Sequence, residues 1–234
     1  EEELETHWPE ARVSRLDQDS ARQRGSASKV LDAVHNGDVD ILIGTQIVAK
    51  GHDFKNVGLV VVLNTDPQLF SSDYRARERL FSVLMQVSGR AGRDKTEGKV
   101  LIQTRYTEDD IFKHLKSQDY EGFAAGELEA RRASFMVPFS AQALLVAEGK
   151  EISSVLAFLQ KLKALAEKIK GPSVRIFEPV PLTVQKVMDI ERGQLLIEAD
   201  NKVEMQKFLN RFQPEALSLK AKGSWYIDVD PLNY

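Results

Sequence analysis

The chain has 234 residues, 42% of them hydrophobic and 29% charged, with no Cys and a formal net charge of −3. That composition suits one large or two ordinary globular domains. It excludes disulfides, thiolate metal sites and cysteine nucleophiles, and no apolar run approaches the roughly 18 residues that a membrane span needs.

The chain opens without Met on EEELETHWPE, an acidic stretch that reads as the middle of a helix and not as a signal peptide. A piece of a longer, cytoplasmic protein is expected. Residues 11–17 have strand character. Residues 20–37 read as a helix in which Val30, Leu31 and Val34 share a face, closed by Asn36-Gly37. DILIG (40–44) and LVVVLN (59–64) are short apolar runs rich in β-branched residues, which suits strands of a parallel sheet buried on both faces. A helix follows at 75–92, with Leu80, Phe81, Leu84 and Val87 at core spacing, and then a strand at 99–104. Strand and helix alternating in this way predict a doubly wound α/β domain.

Residues 108–134 read as helical and charged, stopped by Pro138, because the residue before a proline is driven out of the α region. A domain boundary belongs there. The order then changes: a strand at 143–149, a strongly amphipathic helix at 152–169, strands at 173–180 and 194–200 with a possible third at 184–190, a helix at 201–212 and a last strand at 225–231. The order βαββαβ predicts a small α+β sandwich of the ferredoxin-like type. The expected domains are 1–106, a helical connector at 107–138, and 139–234. No internal repeat or low-complexity tract interrupts them.

Two stretches are candidates for chemistry. QVSGRAGR (86–93) sets Arg90 and Arg93 three residues apart, so on a helix end they project side by side. Arginine is always charged and forked, which suits phosphate oxygens. Gly89 and Gly92 cost about 1 kcal/mol each in helix propensity, and they allow a ligand or another backbone to come close. GTQIVAKGHDF (44–54) follows a buried strand, and ligands of open α/β sheets bind at the carboxyl ends of strands. Thr45 and Gln46 fall at that end, Lys50 adds a cation, Gly51 lets the chain turn, and Asp53 can accept from a hydroxyl. A polar loop joining two strands accounts for this second stretch equally well when it is taken alone.

In this order and spacing, GTQxxxKGxDF followed by QxxGRxGR resembles motifs V and VI of superfamily 2 helicases, carried on the second RecA-like (P-loop NTPase-like) lobe. DILIGTQIVAKGHDF and the tail SWYIDVDP, with a βαββαβ domain between them, resemble more closely the C-terminal half of the PriA (primosomal protein N′) family of replication-restart helicases. The resemblance covers essentially the whole chain. It implies a 3′ to 5′ DNA helicase, fuelled by ATP with Mg2+, that rebuilds a primosome at stalled forks. Its partners would be forked and single-stranded DNA, single-strand-binding protein and other primosome proteins, on the bacterial nucleoid and with no membrane.

By the same resemblance, Arg93 is an arginine finger on the γ-phosphate and Arg90 assists it. Gln86 belongs to the network around the attacking water. Gly51 and Asp53 face the nucleotide or the lobe interface. Thr45, Gln46 and Lys50 lie along the DNA strand. No GxxxxGK[ST] loop occurs in the chain and no Walker B acid pair follows a strand, so it supplies half of an ATP site and is expected to be inactive alone. Zinc belongs to the family's Cys-rich module, and this chain offers no ligands for it.

Other readings remain open. Another superfamily 2 member, a RecG-like remodeller or an RNA helicase, shares the two motifs. A non-enzymatic docking module for DNA or single-strand-binding protein at 139–234 is a third. Arg131 and Arg132 can face DNA or an acidic tail, or form a solvated helix face. Lys161, Lys163, Lys168 and Lys170 read as surface lysines on one helix, His52 as a polar loop residue. Trp225 and Tyr226 can stack on bases, although strand alternation buries one of them. His7, His35, His52 and His114 match no metal-ligand spacing.

Overall fold

A computed structural model of the chain describes residues 1–16, 26–45, 57–71, 73–89, 98–187 and 189–232. They fall into two compact units, Glu1–Ala124 and Ala125–Tyr234.

The first unit contains α1 (Glu2–His7), β1 (Val13–Leu16), α2 (Ser26–His35), β2 (Ile41–Gly44), β3 (Leu59–Val62), α3 (Asp66–Leu69), α4 (Ala76–Ser88), β4 (Lys99–Ile102), α5 (Asp110–Ser117) and the start of α6 (Tyr120–Ala133). β1 pairs with β2 in parallel, from Val13 opposite Ile41 to Leu16 opposite Gly44. β3 pairs with β4 in parallel, from Leu59 opposite Lys99 to Val62 opposite Ile102. Parallel neighbours require a crossover; α2 supplies one in the first pair, α3 and α4 in the second. The expected parallel α/β arrangement is therefore present.

The apolar run of β3 is not buried on both faces. Val60 and Val62 are half-buried, while Leu59 and Val61 remain about half exposed on the opposite face. The helical periodicity reads more accurately. Leu80, Phe81 and Leu84 of α4 meet Leu69, Ile111, Phe112, Leu115 and Phe123 in one buried cluster, with Val62, Met85 and Ile102 packed against it. Phe81 and Phe123 stack with ring centroids 4.0 Å apart.

The helical stretch expected at 108–134 is two helices. Gln118 takes a left-handed conformation, φ 53°, which ends α5. Asp119 then accepts from the Gly122 amide at 2.8 Å and starts α6. α6 ends at Ala133, before Pro138 is reached. Phe135, at φ 53°, turns the chain so that the Met136 amide closes on the Arg131 carbonyl at 2.8 Å.

The second unit continues with β5 (Ala141–Gly149), α7 (Ile152–Ile169), β6 (Val174–Ile176), β7 (Val180–Val187), β8 (Ile190–Ala199), α8 (Lys202–Leu217) and β9 (Ser224–Val229). Its strands run β6-β8-β5-β9, all pairs antiparallel, and β7 also pairs with β8, along its first half (Ile190–Gln194), while β6 pairs with its end (Ile197–Ala199). The possible third strand at 184–190 therefore resolves into β7 and the start of a long β8. A register shift between Pro181 and Lys186 interrupts β7, a position that an edge strand tolerates.

One face of this sheet carries Ala141, Ala143, Leu145, Ala147, Leu195, Ile197 and Ala199, and it receives Val155, Phe158, Leu159, Leu162 and Ala166 of α7 and Met205, Phe208, Leu209, Phe212 and Ala216 of α8. Short alanines on the strands leave room for the phenylalanines of the helices. α8 continues through Pro214 to Leu217, five residues beyond the expected end. An interior proline costs about 3 kcal/mol; burial of Phe212 and Ala216, both fully covered, offsets it.

Candidate functional site

The two ends of the β1–β2 ladder differ in chemistry. Before the strands, the Arg12 backbone amide and guanidinium both donate to Asp40, at 2.8–2.9 Å, and the guanidinium also reaches the Gly37 carbonyl at 2.7 Å. The side-chain hydrogen bonds from Arg12 hold the Asp40 carboxyl well below the usual range. This end is a closed clamp. At the other end, Thr45 lies in an exposed bend directly after Gly44, the last residue of β2. That is the carboxyl edge at which ligands of such sheets bind.

Gln86 lies exposed in the last turn of α4. Gly89 follows as its C-cap, with φ −70° and its amide on the Met85 carbonyl at 3.0 Å. This conformation is open to any residue, and an added Cβ would meet only carbonyls of its own helix, the nearer at 3.5 Å. Neither backbone strain nor crowding among the described residues calls for glycine there. Gln46, Lys50, Gly51, Asp53, Arg90 and Arg93 lie outside the described residues, as does His52.

The chain fixes α4, the helix that leads into the two arginines, by ion pairs at its amino-terminal end. Arg75 pairs with Glu78 at 3.3 Å and Arg79 with Asp73 at 2.8 Å. Arg77 grips Asp109 with both guanidinium nitrogens, at 3.0 and 3.1 Å. Asp109 is also the N-cap of α5, accepting from the Ile111 amide at 3.0 Å. Burial pushes the Asp109 carboxyl up; Arg77 and the Ile111 amide pull it down by more, so it titrates below its ordinary value.

A second polar assembly occupies the carboxyl ends of β3 and β4. The Thr65 hydroxyl donates to the Gln103 carbonyl at 3.0 Å, and the Asn64 amide donates to Gln103 Oε1 at 3.1 Å. The Thr104 hydroxyl donates to Asp66 Oδ1 at 2.6 Å, while the Arg105 amide donates to its Oδ2 at 3.2 Å. Asn64 takes φ 55°, a conformation Asn adopts more readily than most residues. The sequence reading missed this clasp. Its signal was the Asn-Thr-Asp-Pro run straight after one apolar strand and Gln-Thr after the other, residue types that bond to nearby backbone.

In the second unit, Trp225 packs into the core beside Phe158, ring centroids 6.0 Å apart, while Tyr226 on the opposite face is about half exposed. Arg132 lies over the Phe139 ring at 4.7 Å. Lys163 pairs with Glu178, and Lys170 with Glu167. Among the described residues no group of three or more His, Asp and Glu side chains could hold a metal ion, and no helix is long and apolar enough to cross a membrane.

Comparison with known proteins adds two family matches. A helicase conserved C-terminal domain covers residues 1–95, and a primosomal protein N C-terminal domain covers residues 132–232. The replication restart protein PriA of Haemophilus influenzae is 35% identical over 231 residues, which is 99% of this chain and 32% of that protein. PriA of Rickettsia conorii is 34% identical over 234 residues, 100% of this chain and 36% of its own length. PriA of Bacillus subtilis is 35% identical over 211 residues, 90% of this chain and 26% of its own length. The chain thus spans about a third of the length of the curated relatives it matches. Among solved structures, the de novo designed protein Foldit4 covers 39% of this chain at 11% identity, with a TM-score of 0.31.

Proposed function

The chain belongs to the PriA family of replication restart proteins, and from that premise we propose that it is the second RecA-like lobe and following domain of an ATP-driven 3′ to 5′ DNA helicase. The single observation that best supports this is the match of a helicase C-terminal domain to residues 1–95, the stretch in which one motif opens at the carboxyl end of β2 and the other closes α4.

In this reading Arg93 reaches the γ-phosphate and neutralises charge that builds on the transferred phosphoryl group; Arg90 assists it. Gln86 orients the attacking water. Gly51 and Asp53 face the nucleotide, and Thr45, Gln46 and Lys50 follow the DNA strand. ATP arrives with Mg2+, cradled by a lobe that carries the phosphate loop, because this chain has none. The ion pairs of Arg75, Arg77 and Arg79 keep α4 in the orientation that delivers the arginines. The second unit is a ferredoxin-like sandwich; the strand order β6-β8-β5-β9 supports this once β6 and β7 count as two pieces of one edge strand. The work of the whole protein is to recognise stalled or abandoned forks and start primosome assembly, with single-strand-binding protein and other primosome proteins as partners on the nucleoid in the cytoplasm.

Purified alone, the chain should show no ATP turnover above background, with or without single-stranded DNA. Joined to a lobe bearing the phosphate loop it should turn over, and Arg93→Ala should abolish that turnover while leaving DNA binding largely intact. Robust hydrolysis by the isolated chain, or full activity of Arg93→Ala, would overturn the reading.

A further inference from the structure

We propose that Phe70 and Tyr106 form a stacking platform for an unpaired base of single-stranded DNA, with Arg105, the residue before Tyr106, for a neighbouring phosphate. The proposal rests on the reading of the first unit as a DNA-tracking lobe and adds to it a contact that neither motif contains.

The two rings lie on different loops, one following β3 and α3, the other following β4. Their centroids are 4.5 Å apart with an interplanar angle of 60°. Phe70 is 61% and Tyr106 48% exposed. A large aromatic ring gains more from burial than almost any other side chain. Two rings left open against each other, on loops with other means of stabilisation, therefore stand out.

Those loops are held by the clasp. Thr65 is buried and bonded to Gln103, Asp66 spends both carboxylate oxygens on Thr104 and Arg105, and the Tyr106 amide donates to Thr104 Oγ1 at 3.1 Å. The rings are presented on a fixed base, so a base that stacks on them orders little new structure. Their place is the carboxyl end of the β3–β4 ladder, the kind of edge that carries Thr45 in the other ladder.

Charge selects the occupant. Arg12, Arg75, Arg77, Arg79, Arg175 and Arg192 each pair with a carboxylate. The exposed side chain of Arg105 has no such pair among the described residues. An exposed aromatic pair with an uncommitted arginine next to Tyr106 in the chain fits a base and its phosphate. Stacking tolerates any base, as a translocating contact requires.

The test uses the whole chain and an oligothymidylate carrying photoreactive iododeoxyuridine. Cross-linking followed by mass spectrometry should place adducts on the peptides containing Phe70 or Tyr106. Combined Phe70→Ala and Tyr106→Ala should weaken binding about 5- to 100-fold, while Phe70→Tyr with Tyr106→Phe should retain it. Arg105→Ala should reduce the salt dependence by about one ion released. Because both rings are exposed, thermal melting should be nearly unchanged in every variant, which separates lost contact from lost fold. Equal affinity of the double alanine variant, with adducts elsewhere, overturns the platform alone. Absence of any single-strand binding by the wild-type chain overturns both the platform and the DNA-tracking reading. Labelling of the same peptides by azido-ATP, with no oligonucleotide adduct, overturns the assignment to DNA in favour of adenine.

Discussion

Asp109 joins two helices with one carboxylate: it caps α5 through the Ile111 amide and grips Arg77 of α4. Its loss should be felt twice. Asp109→Ala should cost about 1–2 kcal/mol at neutral pH from the cap, with a further contribution from the ion pair. Asp109→Asn keeps an acceptor for the amide and isolates the charge. A depressed carboxylate stabilises the fold fully above its unfolded pKa, near 4, and loses that contribution as pH falls through the lower folded value. Urea melts should therefore show the gap between wild type and Asp109→Asn shrinking below about pH 4; a constant gap would mean that the charge contributes nothing. None of this was legible in the sequence, because Arg77 and Asp109 meet only through tertiary packing. Arg90 and Arg93 are a different case: their three-residue spacing is a local pattern visible in the sequence itself, and both lie outside the described residues.

At the scale of elements, helices read more faithfully than strands. The amphipathic stripe of α7 was recognised at its true limits, 152–169, because five buried residues repeat at one period. β3 was recognised as a strand, but its apolar residues did not reveal which face would be covered. The expected end of α8 at Phe212 falls short of Leu217, since local propensity contains no information about the burial of Ala216 beyond Pro214. Strand pairing produces its own sharp prediction at Gly223, where β9 begins. A Cβ there would fall on the Glu148 carbonyl, at the end of the β5–β9 ladder. Gly223→Ala should cost about 1–3 kcal/mol and speed hydrogen exchange at Trp225 and Tyr226 first. Unchanged stability and exchange would show that the chain end shifts aside freely.

At the scale of the molecule, the division into two units is matched by two separate buried clusters, one in each. The second cluster contains its own sheet face and both helices, so residues 125–234 expressed alone should give a single cooperative urea transition and a dispersed amide spectrum. A collapsed spectrum would show that the first unit is needed. β5 is the strand on which that fold depends. It lies between β8 and β9, its segment Ala141–Ala147 is buried throughout, and Ala143 opposes both Ile197 and Val229. The partner on one side is thus made long after β5 itself and the partner on the other side last of all. A ribosome adding about 5–20 residues per second leaves the open edge of β5 unpaired for on the order of ten seconds while the rest of the unit emerges. During that interval the nascent chain carries an apolar strand with a free rim, which gives chaperone engagement a definite window that closes when Val229 clears the exit tunnel.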